Sequence, residues 1–329
     1  MSAPTTGRMP GGAPDVVVLG EVLVELSSLE GLHDGAAFRL GFSGDALNTA
    51  AAASAAGAHV ALVARVPDDE LGDELLARVR QLDVDTSRVI RAPGQHGLYL
   101  THADPDGERA FTYVRRGSAG SQLGTEDLDD SLLSTAGVVV ASGIACAISS
   151  SAAAAVLHAA QVSGRFVYDP NFRTRLTTSA EASAALRRIA PHAEVITPSW
   201  PGETGQLLGL PADTVPQAAL TSLTALGAGA VVMTCGPAGA WVSSPAGVEH
   251  VPGLPAPRVV DQTGAGDCLT GTLAARLALG DSLVDAVRLA TSAAALSVQG
   301  QGGTGYVPTL SETRRALVAA RPAEELTNR

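Results

Sequence analysis

The stretch VVDQTGAGDCLTGTLAARLALG, residues 259–280, places Gly264, Ala265 and Gly266 directly before Asp267 and then runs into a helical pattern. Glycine is unfavourable inside helices, so glycines at this boundary call for a reason. The start of a helix offers unpaired backbone N–H groups and a partial positive charge. A turn stripped of bulky side chains can close there around an anion. The Asp then has two readings. It can simply complement the helix dipole, with the glycines making a tight turn. Alternatively it takes a proton from a hydroxyl that attacks a phosphorus held by the turn.

Composition narrows how such chemistry would run. The 22 basic residues are all Arg, and the chain has no lysine. A G-x-x-x-x-G-K-[ST] loop is therefore absent, which removes the P-loop NTPases. Phosphoryl transfer would then need helix N–H groups, Mg²⁺ and Arg to neutralise charge. The first strand runs into VVVLGEVLVEL without a G-x-G-x-x-G turn, which argues against a dinucleotide-binding fold. A net charge of -11 argues against a nucleic-acid partner but leaves room for a small anionic substrate held by local Arg. The seven His form no H-E-x-x-H, so no zinc site is read. Cys146, Cys235 and Cys268 are far apart and odd in number, as suits a reducing cytoplasm.

The elements that must position these residues follow a βα rhythm. DVVVLG (15–20) reads as a buried strand, DALNTAAAASAAGA (45–58) as a helix stopped by Gly57, HVALVARV (59–66) as a strand and DELGDELLARVRQL (69–82) as an amphipathic helix. Further strands are read at 137–143, 165–171, 193–199 and 229–236, with helical patterns between most of them. The rhythm predicts a parallel sheet covered by helices. Residues 264 to about 298 read as two helices, followed by the Gly-rich loop QGQGGTG (299–305) and a terminal helix. Residues 136–164 are almost uncharged, but their serines and short apolar blocks suit a buried strand and an Ala-rich helix better than a membrane span.

The rhythm breaks near 88–117. There GLYLTHA and RAFTYVR alternate around the turn DPDG, as in a β-hairpin. With EVLVEL (21–26) and AAFRLGF (36–42) these pieces predict a small second sheet that covers something. Alternation puts Phe111, Tyr113 and Arg115 on one face of the hairpin and Thr112, Val114 and Arg116 on the other. An Arg beside aromatic rings suits a carboxylate, which a guanidinium binds through two parallel bonds, while an Arg simply solvated on an edge strand is the other reading.

Taken together, the chain resembles the PfkB, or ribokinase-like, sugar kinases over about residues 15–318. DQTGAGD (261–267) is similar to that family's C-terminal signature, GFSGDALNTA (41–50) to its N-terminal one, and VVMTCGPAGAW (231–241) to the segment near the nucleotide. The resemblance implies a three-layer α/β/α domain with a mostly parallel central sheet and a β-sheet lid formed by about 21–42 and 95–117. Residues 1–14 and 319–329 are expected as tails. It implies ATP and Mg²⁺ as cofactors, with a monovalent cation as a further candidate. Asp267 would be the base, with Gly264, Ala265 and Gly266 as the anion hole and Arg173 on the transferring phosphoryl group. Gly44, Asp45 and Asn48 would contact substrate hydroxyls, with Tyr99, Tyr113 and Arg115 on the lid side. Thr234, Gly236 and Gly239 would lie by the nucleotide. GLYLTHADPDGERAFTYVRRGSAG (97–120) and YDPNFR (168–173) look most like 2-keto-3-deoxygluconate kinases, which implies a sugar acid as substrate.

Two positions depart from the family pattern. Gln262 stands where Thr is usual, which affects an expected cation or phosphate contact. The segment TPSWPGE keeps Glu203, the residue implied in indirect Mg²⁺ binding, but has Trp200 where the family places Asn. A kinase for a neutral sugar or nucleoside, and a ligand-binding protein that has lost turnover, therefore stand as alternatives. By analogy with the family, the apolar lid strands imply a homodimer through the lid.

Overall fold

The computed structural model describes residues 12–28, 30–103 and 109–320. The DPDG turn and most of both expected tails fall outside these residues. At the N-terminal side the chain is tied down at Pro14, whose carbonyl accepts a hydrogen bond from Gly137.

In chain order the strands and helices begin with β1 (Val16–Leu19), β2 (Leu23–Ser27), β3 (Arg39–Ser43), α1 (Asp45–Ala55), β4 (Val60–Pro67), α2 (Glu70–Gln81), β5 (Val84–Asp85) and β6 (Val89–Ala92). They continue with β7 (Leu98–Ala103), β8 (Arg109–Val114), α3 (Asp130–Thr135), β9 (Val138–Ser142), α4 (Gly143–Ile148), α5 (Ser150–Val162), β10 (Phe166–Asp169), α6 (Ser179–Ile189), β11 (Val195–Ile196) and α7 (Gly202–Leu208). The last are α8 (Pro216–Thr224), β12 (Ala230–Thr234), β13 (Ala240–Ser244), β14 (Gly247–Val251), α9 (Ala265–Ala278), α10 (Leu283–Ser297) and α11 (Leu310–Ala319).

The large sheet runs β14-β13-β12-β11-β10-β9-β1-β4-β5, with β6 also on β4. It is parallel from β5 to β12, and β13 and β14 extend it antiparallel. A strand covered on both faces needs apolar residues in a continuous run, and β1 is VVVL with every residue buried. Its side chains alternate between two cores. Val16 and Val18 join α1, α9 and α10 residues on one face, and Val17 and Leu19 join α5, α6 and α8 residues on the other. The three-layer arrangement expected from the βα rhythm is thus present.

A separate four-stranded sheet runs β3-β2-β7-β8, with β2 and β7 parallel and the outer pairs antiparallel. All four pieces read from the sequence as a second sheet are in it. The sequence reading gave no separate notice of β5, β6 or the β13–β14 hairpin. The extended run read at 193–199 is a regular strand only over Val195–Ile196, because Pro198 lacks the N–H the ladder needs, although Ser199 still bridges Thr234. Among the described residues no helix is long and apolar enough to cross a membrane.

Two helix starts meet because of one missing side chain. A Cβ at Gly271 would lie 2.2 Å from the carbonyl oxygen of Thr49. Glycine there lets α9 pack backbone-close on α1, which brings their first turns together. Capping boxes at Thr178 with Glu181 and at Thr309 with Glu312 start α6 and α11.

Candidate active site

A cleft of about 1050 Å³ lies between the carboxyl ends of the central strands and the small sheet. In open α/β sheets this end of the strands is where ligands bind. Its volume is at the upper end for a single-ligand site, which leaves room for two small molecules.

Its floor is the start of α9. Gly264 adopts a left-handed conformation at the N-cap, φ 80°, and no side chain caps the helix. A Cβ at Gly266 would meet only open space, so the turn is bare toward the cleft. Gly264, Gly266 and Asp267 line the cleft, whereas Ala265 does not. Asp261 holds the preceding loop. Its Oδ1 accepts from the backbone N–H and the hydroxyl of Thr263, and its Oδ2 accepts from the N–H of Gly302. The Gly-rich loop 299–305 is thereby knotted to the turn. A Cβ at Gly302 would strike the Glu25 carboxylate, and one at Gly303 would strike Asn48, so both glycines exist for close approach.

Asp267 is buried and held at both oxygens. Asn48 Nδ2 donates to Oδ2 at 2.8 Å, and Asn171 Nδ2 donates to Oδ1 at 3.1 Å. Ser43 donates to Asn48 Oδ1, which orients that amide with its NH₂ toward Asp267. Burial, followed by the nearby Asp45 carboxylate, pushes the Asp267 carboxyl up to about 6, against the opposing effect of Asn48, Arg173 and Asn171. A carboxylate with this value is still ionised at neutral pH and is a better proton acceptor than an ordinary Asp.

Asp45 begins α1, is buried, and accepts a hydrogen bond from the Ser142 hydroxyl, while its Oδ1 has no hydrogen-bond partner. That vacant acceptor, on a residue lining the cleft, suits a substrate hydroxyl. Gly44 precedes it at φ 113°, and a Cβ there would lie 2.7 Å from the Glu21 carbonyl oxygen. The small sheet forms the opposite wall. Phe111, Tyr113 and Arg115 face the cleft and Val114 faces solvent, as the alternation predicts. Phe111 and Tyr113 stack at 6.2 Å between centroids, Tyr99 tilts against both, and the Arg115 guanidinium sits 5.2 Å from the Tyr113 ring centre. The Tyr99 hydroxyl donates to Glu25 at 2.5 Å. Arg115 is buried and pairs with Glu21, Nε to Oε2, at 3.1 Å.

Arg173 lines the cleft, near enough to act on the charges of Asp267, Asp169 and Glu203. Glu203 begins α7 and accepts from the backbone N–H groups of Phe172 (2.5 Å) and Ser199 (2.6 Å). Trp200 packs beside the core, and Ser199 rather than Trp200 lines the cleft. Thr234 lines the cleft at the end of β12, as do Gln262 and Thr263. Gly236 and Gly239 lie in the next turn and do not line the cleft; Gly236 is exposed. Gly239 is required there by packing, since a Cβ would strike the Val251 carbonyl oxygen.

Sequence reasoning left four contributors unassigned. Asn171, within YDPNFR, has φ 42°, a conformation that Asn tolerates better than most residues. Asp169 is buried beside Glu203 and Asp267, and burial and those two charges push its carboxyl well up. Arg175 reaches the Phe111 carbonyl oxygen of the small sheet. Glu21 faces Arg115. In each case the signal in the sequence was a polar residue next to a motif, and only tertiary contact gives it a partner.

Among the described residues no group of three His, Cys, Asp or Glu side chains is placed to hold a metal directly. Asp169 and Glu203 instead form an acidic pair on the cleft wall, which fits a hydrated ion held through water and phosphate, as Mg²⁺ prefers.

The fold and the cleft define an α/β protein with a buried, doubly hydrogen-bonded carboxylate at a bare helix start. The chain belongs to the pfkB family of carbohydrate kinases, whose profile matches residues 13–310. It is 34% identical over 320 residues to the 2-dehydro-3-deoxygluconokinase of Thermoproteus tenax, covering 95% of this chain and 97% of that one. It is 28% identical to the enzyme of the same name from Bacillus subtilis (strain 168), covering 94% and 98%. Among solved structures, a PfkB protein from Polaromonas sp. JS666 superposes with a TM-score of 0.81 at 28% identity, over 92% of this chain and all of that one.

Proposed function

We propose that the chain transfers the γ-phosphoryl group of ATP to the primary hydroxyl of a 2-keto-3-deoxy sugar acid, with 2-keto-3-deoxygluconate going to its 6-phosphate. The observation that carries the transfer is the Asp267 carboxylate, clamped by Asn48 and Asn171 at the bare start of α9. Asp267 accepts the hydroxyl proton as the oxygen attacks in line. The backbone N–H groups of 264–267 and Arg173 hold the charge that develops on the phosphoryl oxygens. Asp45 and Asn48 orient the acceptor's hydroxyls, and the aromatic wall of Tyr99 and Tyr113 covers it. Mg²⁺, when bound, neutralises phosphate charge, and Asp169 and Glu203 are the residues to hold its water shell.

The acid is supported by Arg115 on the cleft wall and by the similarity to two 2-dehydro-3-deoxygluconokinases. A neutral sugar is the second reading, favoured by Glu21, which already balances the Arg115 charge. Thr234, Gln262 and Thr263 mark the nucleotide side. The lid, formed by β2, β3, β7 and β8, would exclude water and, through exposed Leu40 and Val114, pair two copies. Sedimentation of a concentration-independent monomer would sink the pairing.

The test is ADP release with Mg-ATP against 2-keto-3-deoxygluconate, 2-keto-3-deoxygalactonate, fructose, ribose and adenosine, with Asp267→Asn in parallel. Turnover on a keto-deoxy acid, reduced about 10³-fold or more in the variant, supports the proposal. Turnover on a neutral sugar alone selects the second reading. Nucleotide binding without turnover on any acceptor would favour a binding protein.

A further inference from the structure

Glu21 and Arg115 sit where the two sheets join. Glu21 lies in the connection from β1 to β2, and Arg115 follows β8. Both are buried, at 1% and 7% exposure. Their ion pair of 3.1 Å lies off the hydrogen-bonding direction, so Glu21 Oε2 and Arg115 Nε and Nη2 all lack hydrogen-bond partners. Glu21 Oε1 accepts from Ser118 at 2.9 Å. Gly97 and Gly120 close on the carboxylate so tightly that a Cβ on either would strike Glu21. The carboxylate therefore has no room to swing away, and water has little room to enter. Arg115 alone of the pair lines the cleft.

A buried guanidinium with unspent donors is costly unless an anion completes it. We propose that Glu21 is the resting counter-ion of Arg115, and that a substrate carboxylate takes over this role while Glu21 picks up one proton from solvent. This rests on the reading of the substrate as a sugar acid. Two carboxylates cannot both stay ionised against one buried guanidinium without a large repulsion. The proton goes to Glu21 because it is the enclosed group, whereas the substrate meets Arg115 from the cleft that Arg115 lines. The groups that face Glu21 are Arg115 from the end of β8, Ser118 from the following loop and Asp45 from the start of α1. Burial already raises the Glu21 carboxyl to about 7, against the opposing pull of Arg115. Diverting Arg115 to a second anion raises it further. Glu21 is thus a positioning residue that sets specificity: a neutral sugar leaves the pair intact, and an acid breaks it only with a proton.

The experiment is calorimetric titration of the intact protein with 2-keto-3-deoxygluconate in two buffers of different ionisation heat. Uptake should approach about one proton per acid bound near pH 8 and fade toward pH 6, where Glu21 is already protonated. In the wild type, KM for the acid should rise by up to about tenfold per pH unit above 7. Glu21→Gln should abolish both the uptake and this rise. Acid binding at pH 8 with no proton uptake in the wild type overturns the inference without any variant, whether or not Glu21→Gln folds. Arg115→Ala separates the two proposals. If that variant loses the acid but the wild type takes up no proton, this inference fails and the sugar-acid reading stands. If it handles the acid as well as the wild type, the sugar-acid reading fails and this inference falls with it.

Discussion

Asn48, in the first turn of α1, donates a hydrogen bond to Asp267, in the first turn of α9, across 219 residues of sequence. The two family signatures of the chain are therefore one structure. The N-terminal segment supplies the amide that fixes the orientation of the Asp267 carboxylate, and Ser43 fixes the amide. Asn171 supplies the second clamp from the DPNFR segment.

Removing either clamp should disorient the Asp267 carboxylate and shift its titration upward. Asn48→Ala or Asn171→Ala loses a hydrogen bond to a charged group, about 1.5–3 kcal/mol, or about 10- to 100-fold in kcat. Both amides hold the Asp267 carboxyl down from where burial alone would put it. The acidic limb of the pH profile of kcat/KM should therefore move above its wild-type position near 6 in either variant. A lower kcat with an unmoved acidic limb would show that the amides act on substrate rather than on Asp267.

The unliganded protein should be more stable at mildly acidic pH than at neutral pH. Folding raises Asp267 from 3.8 to about 6 and Glu21 from 4.5 to about 7, and raises Asp45 as well. Between the lower and upper values the folded state holds protons that the unfolded state has released. Stability then falls as pH rises, by up to about 1.4 kcal/mol per unit per group. Urea midpoints at pH 5.5, 6.5 and 7.5 should decline in that order, less steeply in Glu21→Gln. A flat series would refute the assignment.

Gly271→Ala should damage a site it does not touch. The new methyl would lie 2.2 Å from the Thr49 carbonyl oxygen, so α1 and α9 must separate. Overpacking of this kind costs about 1–3 kcal/mol. Because Asn48 and Asp267 ride on these helices, kcat should fall with the urea midpoint. Destabilisation with unchanged kcat would show that the first turns keep their register by other contacts.

Asp261→Asn should lower kcat more than it raises KM for the sugar. The variant puts a donor amide where both carboxylate oxygens now accept, so either the Thr263 or the Gly302 contact is lost. The start of α9 then loses its fixed position. An unchanged kcat would mean that the turn holds without the Gly-rich loop.

The βα rhythm, the second sheet and the bare helix start were legible because each is written locally. Val16–Leu19 is a continuous apolar run, RAFTYVR alternates, and GAGD precedes a helical stretch. Strand β11 was overread because Pro198 breaks the regular ladder just after Ile196. Other features are written only in three dimensions. Nothing near Glu21 in sequence points to Arg115, 94 positions on. The conformation of Asn171, and the reason for Gly271, lie in the elements they touch. Arg115 was read as facing a substrate acid, and the structure adds that an internal acid already faces it.

The knot between Asp261 and Gly302 has a consequence for how the chain tolerates being cut. The proposed base belongs to α9, yet its turn is fastened by a loop that the chain reaches only after α10. A single protease nick between 299 and 305 would leave every proposed catalytic residue in place and covalently attached to the main sheet. It would still free the strap that holds the turn. Such a nicked protein would keep its circular dichroism and lose its turnover, which makes this loop a fuse for the enzyme.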